Sequence, residues 1–145
     1  MLINLLLGSA TVFVSMGVQV IAVVMMLRYL IKILADERHK NAVLSFDTYA
    51  IGIVLLMLFA GHMLQIAIWA VLFVYLGEFG DFETAFYHSA VNFASLGYGD
   101  IVMSEKWRLL GALEASNGVL MFGLSAGTLL AVLTHIFSRS KPGNT

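Results

Sequence analysis

Residues 89–100 constrain the fold of this chain more than any other segment. They read Ser-Ala-Val-Asn-Phe-Ala-Ser-Leu-Gly-Tyr-Gly-Asp and are flanked on both sides by long apolar stretches. Gly97 and Gly99 can take a positive φ without steric cost, so the sign of φ can alternate here and turn successive carbonyl groups to one side. Such a backbone cannot face lipid, because its polar groups would be unsatisfied. The segment therefore predicts a protein-enclosed, carbonyl-lined site that replaces the water around a cation.

The composition favours a membrane protein. The chain is 60% hydrophobic and 12% charged, which is more apolar surface than a soluble domain of 145 residues can bury. The net charge of −1 gives no indication of nucleic-acid binding. The absence of cysteine from the sequence excludes disulfides and thiolate metal sites.

Three apolar stretches are long enough to cross a bilayer whose hydrocarbon core is about 30 Å thick. They cover residues 2–34, 48–76 and 107–138. Residues 84–94 predict a helix of about three turns, which is too short to cross and must enter the membrane and return. We predict an all-α membrane protein with three transmembrane helices, a re-entrant helix and a loop. The expected divisions are an N-terminal transmembrane helix (1–35), a cytoplasmic linker (36–47), a pore domain (48–138) and a cytoplasmic tail (139–145).

The segment Ser95-Leu96-Gly97-Tyr98-Gly99-Asp100 resembles the Thr-Val-Gly-Tyr-Gly-Asp selectivity filter of tetrameric potassium channels. The resemblance extends over residues 46–137 as outer helix, pore helix, filter and inner helix. It implies passive, potassium-selective conduction through four copies of the chain. The permeant K+ would be held by the backbone carbonyls of Ser95, Leu96, Gly97 and Tyr98. Alternatives are a weakly selective monovalent cation channel and a non-conducting membrane subunit.

Three polar residues near the filter are candidates for filter support or for lining the cavity: Asn92, Glu114 and Asn117. A carboxylate at membrane depth costs several kcal/mol unless it has a partner. We expect Glu114 to lie behind the pore helix near Asn92 or Tyr87, with a position facing the cavity as the alternative. Gly118 falls where the resembled family has its inner-helix hinge glycine, and close helix packing is the other explanation of this glycine.

His62 is the candidate for pH sensing, because a histidine in mid-membrane can change its charge near neutral pH. It shares a helical face with Gln65, three residues later. An interhelical hydrogen bond is the alternative role of His62. A similar bond is expected for Gln19 in the first apolar stretch.

An enzyme of a different class is suggested by one short motif. Gly123-Leu-Ser125-Ala-Gly127 matches the Gly-x-Ser-x-Gly turn of serine hydrolases, and His135 follows. That turn joins a strand to a helix, whereas Ser125 is predicted inside a long helix, and His135 lies roughly 15 Å further along it. We therefore regard an intramembrane serine hydrolase as a remote alternative, and expect no enzymatic activity and no cofactor.

The basic residues predict the topology. Six of the eight Lys and Arg residues belong to one side of the membrane, and the positive-inside rule makes that side cytoplasmic. The N-terminus and the turn at 77–83 are then outside and the C-terminus is cytoplasmic, in a multi-pass protein of the cell membrane. The expected partners are the lipid bilayer and three further copies of the chain, without nucleic acid and without a soluble ligand-binding domain. The six basic residues assigned to the cytoplasmic side are Arg28, Lys32, Arg38, Lys40, Arg139 and Lys141.

Overall fold

The computed structural model describes residues 1–34 and 43–140. Within these ranges the chain forms four α-helices and no β-strand: α1 (Leu2–Leu34), α2 (Val43–Tyr75), α3 (Phe82–Phe93) and α4 (Arg108–Ser140). The predicted all-α fold is confirmed. The predicted linker at 36–47 and tail at 139–145 lie mostly outside the described residues.

Three of these helices are long and apolar enough to cross a membrane. Their candidate spans are Leu2–Lys32, Thr48–Tyr75 and Arg108–Ile136. The third helix in the chain, α3, has 12 residues and a length of about 18 Å, which is too short to cross. α2 begins at Val43, ahead of the predicted start at residue 48, because hydropathy marks only the apolar part of a helix.

The first helix packs along both α2 and α4. Near its start, Asn4 donates a hydrogen bond to the Lys106 carbonyl (2.6 Å), just before α4 begins. Near its end, Met26 and Leu30 pack with Val132 of α4 in one buried cluster. α1 therefore runs parallel to α4 along the length of the molecule. We call the end that contains Asn4 and Lys106 the filter-side end, and the opposite end the far end.

The short helix α3 is held by a buried aromatic core at the filter-side end. This core includes Trp69 and Phe73 of α2, Phe93 of α3 and Leu110 of α4, all fully buried. Between membrane helices the lipid supplies no hydrophobic driving force, so close van der Waals packing of this kind stabilises the contact. The core fixes α3, and with it the loop that follows.

Candidate functional site

The residues after α3 form a loop whose position is set by both ends of that helix. At the start, the Asp81 carboxylate accepts hydrogen bonds from the Thr84 backbone N–H and hydroxyl (2.8 Å each), which lowers the pKa of Asp81. At the end, Ser95 N–H donates to the Asn92 carbonyl (2.8 Å) and Leu96 N–H to the Val91 carbonyl (2.9 Å). The chain thus leaves the last turn of α3 directly into residues 95–100, which we call the filter loop.

The filter loop alternates in the sign of φ. Ser95, Gly97 and Gly99 have φ of 56°, 59° and 76°, whereas φ is not positive at Leu96 and Tyr98. The two glycines adopt the conformation that their lack of a Cβ permits. Ser95 was not foreseen in this role, and it is the only described non-glycine residue with a positive φ. Such an alternation turns successive carbonyl groups to one side of the chain, the arrangement that cation coordination needs.

The end of the filter loop is tied back to α3. The Tyr87 hydroxyl donates a 2.6 Å hydrogen bond to Asp100 Oδ2, and Ile101 N–H donates to Asp100 Oδ1 (3.0 Å). The bond from Tyr87 is the main reason why the pKa of Asp100 is lowered, and it also raises the pKa of Tyr87. His88 Nδ1 lies 3.2 Å from the Ile101 carbonyl. Asp100 is thus held as a carboxylate at the mouth of the loop.

A second contact joins the segment before α3 to the segment after the filter loop. The Glu78 carboxylate accepts hydrogen bonds from the Ser104 backbone N–H and from its hydroxyl (2.7 Å). No sequence pattern indicates this pair, because 26 residues and an entire helix separate its members. The Tyr87–Asp100 pair, 13 residues apart, was missed because it depends on how the filter loop folds back onto α3.

Glu114 lies behind α3. It is fully buried within the single chain, so it does not line a central cavity. Asn92 Nδ2 donates to Glu114 Oε2 (2.8 Å) and to the Gly111 carbonyl (2.7 Å). One side chain of α3 therefore bonds two successive turns of α4, next to the point where the filter loop begins.

Asn117, the third candidate for filter support or for lining the cavity, contacts α1. Its Nδ2 donates to Ser15 Oγ of α1 (2.9 Å), and the residue is buried. Its role beside the filter stays a prediction.

Gly118 permits a close approach between α3 and α4. A Cβ added there would lie 1.9 Å from the Phe93 carbonyl oxygen, at the end of α3. α4 continues as an α-helix through Gly118. This contact gives the glycine a packing role, while its role as a hinge stays a prediction.

His62 contacts Ser125, the serine of the Gly-x-Ser-x-Gly motif that His135 follows in the sequence. Ser125 Oγ lies 3.0 Å from His62 Nε2, and the imidazole packs against the rings of Phe93 and Phe122. The pair does not form a hydrolase site. Ser125 lies inside α4 rather than on a strand-to-helix turn. His62 Nδ1 has no hydrogen-bond partner among the described residues that would orient it as a base.

The fold is that of a membrane protein in which a short helix and a loop of alternating φ lie between two candidate membrane spans. A family model described as ion channel matches residues 52–135, which is more than half of the chain. The chain therefore belongs to this ion channel family, whose members are transport proteins and not enzymes. No curated protein and no solved structure matches it. The matched region runs from α2 into α4 and leaves α1 outside.

Proposed function

We propose that this chain forms a potassium-selective channel. The observation that carries the proposal is the alternating φ of Ser95, Gly97 and Gly99 directly after a helix too short to cross the membrane. Carbonyl groups of Ser95, Leu96, Gly97 and Tyr98 then coordinate dehydrated K+ in successive rings. The carboxyl end of α3, where the helix dipole is negative, adds to the attraction for a cation below the filter.

The same loop argues for an assembly of four copies. Residues 94–100 are exposed in the single chain, with Leu96 at 56% and Tyr98 at 66%. Irregular backbone at membrane depth cannot face lipid and must be enclosed by protein or line a water-filled cavity. One loop provides one wall of a filter, and three further copies supply the others around a common axis. The exposed apolar side chains of α4 provide surface for such contacts, among them Val119, Leu120 and Phe122.

Two side-chain contacts are assigned supporting roles. Asn92 and Glu114 hold α3 against α4 behind the filter, and Tyr87 holds Asp100 at the mouth. The topology follows from the basic residues: the filter-side end faces the outside of the cell membrane, and residues 48–138 form the pore domain. Gly118 as a hinge and His62 as a pH sensor complete the proposal.

Ion flux through the purified protein tests the proposed potassium-selective conduction. Liposomes containing the full chain should lose trapped potassium down its gradient and retain trapped sodium. Liposomes with the Gly99→Ala variant, reconstituted at the same protein density, serve as the control and should not distinguish the two ions. Equal loss of both ions from the wild-type liposomes would point to a weakly selective channel, and retention of both to a non-conducting subunit.

A further inference from the structure

A continuous line of buried hydrogen bonds joins α1, α2 and α4. Asn117 donates to Ser15 (2.9 Å), Ser15 to Gln65 Oε1 (2.9 Å), Gln65 to Gln19 Oε1 (2.6 Å) and Gln19 to Ser125 Oγ (2.8 Å). The hydroxyl of Ser125 then reaches His62 Nε2 at 3.0 Å. We call these residues the polar ladder: Ser15, Gln19, His62, Gln65, Asn117 and Ser125.

Every member of the polar ladder is buried, with exposed fractions between 0% and 8%. Each glutamine both accepts through its oxygen and donates through its nitrogen, so the bonds run in one direction from Asn117 to Ser125. An unsatisfied polar group in a membrane interior costs several kcal/mol. Separating α1 from α4 therefore breaks two of these bonds together, Asn117 to Ser15 and Gln19 to Ser125.

The ladder reaches α4 on both sides of its contact with α3. Asn117 precedes Gly118, which lies against the Phe93 carbonyl at the base of the filter loop. Ser125 lies about two turns further along α4. His62, at the end of the ladder, packs on the Phe93 ring, with 6.0 Å between the ring centroids. The bonds thus hold the segment of α4 that supports the end of α3.

Other contacts already hold α1 in place. Asn4 bonds the Lys106 carbonyl at the filter-side end, and Met26 and Leu30 pack into a buried cluster at the far end. Attachment of α1 therefore does not depend on the polar ladder. The buried amides instead fix how α1, α2 and α4 sit relative to one another at the height of Phe93.

We propose that Ser15, Gln19 and Gln65 are positioning residues for conduction, which act through Asn117 and Ser125 on the inner helix and stabilise the conducting filter. The proposal rests on the proposed channel function and extends it to α1, which lies outside the region matched by the family model. The ladder is intact in a structure whose filter loop has the alternating φ of a conducting filter. Loss of ladder bonds should therefore lower the population of that state.

Single-channel recording of three full-length variants tests the proposal: Gln19→Leu, Ser125→Ala and the double variant. Each single change removes the bond from Gln19 to Ser125. Hydrogen bonds between membrane helices contribute about 0.6 kcal/mol in double-mutant cycles, which is about threefold in an equilibrium constant per subunit. The equilibrium constant between open and closed states, obtained from the open probability, should fall at least threefold in each single variant, with unitary conductance and reversal potential unchanged. In the double variant, this equilibrium constant should fall by less than the product of the two single effects, because both changes remove the same bond.

Two controls separate positioning from a general loss of structure. Thr11→Val removes a buried hydroxyl of α1 whose hydrogen bond among the described residues is within its own helix, to the Leu7 carbonyl, and should keep wild-type open probability. Ser125→Thr keeps the hydroxyl and should retain more of the open probability than Ser125→Ala. The amount of assembled channel, measured on the same preparations, should be equal in all variants.

The outcomes distinguish this inference from the channel function itself. Potassium-selective currents whose open probability is unchanged or raised in Gln19→Leu and Ser125→Ala would overturn the positioning role and leave the channel standing. Independent, multiplicative effects in the double variant would also overturn it. Absence of potassium selectivity from the wild-type recordings would instead contradict the proposed function.

Discussion

At the scale of single residues, the filter loop depends on three positions with positive φ. Gly97 and Gly99 are the two that only glycine occupies freely, and a Cβ added at either would meet nothing within 4 Å among the described residues of the chain. Within the single chain, an effect of alanine there therefore arises from backbone conformation and not from a clash. Ser95, the third position, pays roughly 1–2 kcal/mol for its left-handed conformation.

We predict that Gly97→Ala and Gly99→Ala each abolish potassium selectivity and leave membrane insertion intact. The added Cβ disfavours positive φ and so rotates a ring of carbonyls away from the ion path. The ratio of potassium to sodium permeability measures the effect. Gly17→Ala is the matched control, because Gly17 is helical and also meets nothing within 4 Å. Wild-type selectivity in either filter variant would refute the filter assignment.

Tyr87→Phe should make conduction more sensitive to acid on the filter side. The Tyr87 hydroxyl is the main cause of the lowered pKa of Asp100, so its loss moves that pKa up toward the usual value. The pKa of Asp100 is lowered in the folded protein. The contribution of its carboxylate to conduction is therefore present above the usual aspartate pKa and is lost as the pH falls through the lowered pKa. The loss of current on acidification should therefore begin at a higher pH in Tyr87→Phe.

A comparison of current against pH checks this expectation. Tyr75→Phe is the control, because Tyr75 lies at the same end of the molecule and is 86% exposed. Superimposable pH profiles of wild type and Tyr87→Phe would show that the bond from Tyr87 to Asp100 does not control the acid sensitivity of the current.

Glu114→Gln and Glu114→Ala should differ. Glutamine keeps an oxygen that accepts from Asn92, whereas alanine removes the acceptor of a buried 2.8 Å bond and costs roughly 1–3 kcal/mol per subunit. The fraction of assembled channel that survives heating should be near wild type for Gln and clearly lower for Ala. Glu105→Ala, which changes an exposed carboxylate, is the control. Equal stability of the two Glu114 variants would contradict a supporting role.

At the scale of helices, the closest approach between the end of α3 and α4 depends on one glycine. Gly118→Ala should force the two helices apart, because the new Cβ would lie 1.9 Å from the Phe93 carbonyl oxygen. Overpacking of this kind costs about 1–3 kcal/mol, and we expect less assembled channel and weaker selectivity. Gly123→Ala on the same helix is the control, because its new Cβ meets nothing within 4 Å among the residues that the structure describes. A change in open probability alone, with assembly and selectivity intact, would favour the hinge role instead.

The helices themselves were predictable because their signals are local. Apolar length identified the three long helices, and a short run between them identified α3. The high cost of a membrane carboxylate indicated that Glu114 needs a partner, and Asn92 supplies one. Each of these inferences uses residues within one element or two neighbouring elements.

The remaining contacts join residues far apart in sequence, and no periodicity reveals them. Asn117 bonds Ser15 across 102 positions, and Ser125 meets His62 across 63. Both depend on how α1 and α2 rotate against α4, which hydropathy does not specify. The positive φ of Ser95 was also hidden, because serine has no strong preference for that conformation.

At the scale of the whole molecule, the filter loop and α1 make different contributions. Residues 52–135 contain the ion channel domain, and the exposure of its filter loop is the reason why we propose an assembly of four copies. α1 adds a helix that contacts the start and end of α4 and bonds its middle. The chain thus combines an ion channel domain with a further helix, α1, that packs along it.

The central claim is that the filter loop conducts potassium selectively, and its most direct test is the reversal potential of the full chain in a planar bilayer. With potassium salts of different concentration on the two sides, the reversal potential should follow the potassium gradient by about 59 mV per tenfold ratio. With equal potassium and sodium concentrations on opposite sides, it should lie far from zero, toward the potassium equilibrium potential. A reversal potential near zero under those bi-ionic conditions, from channels that conduct, would contradict the account.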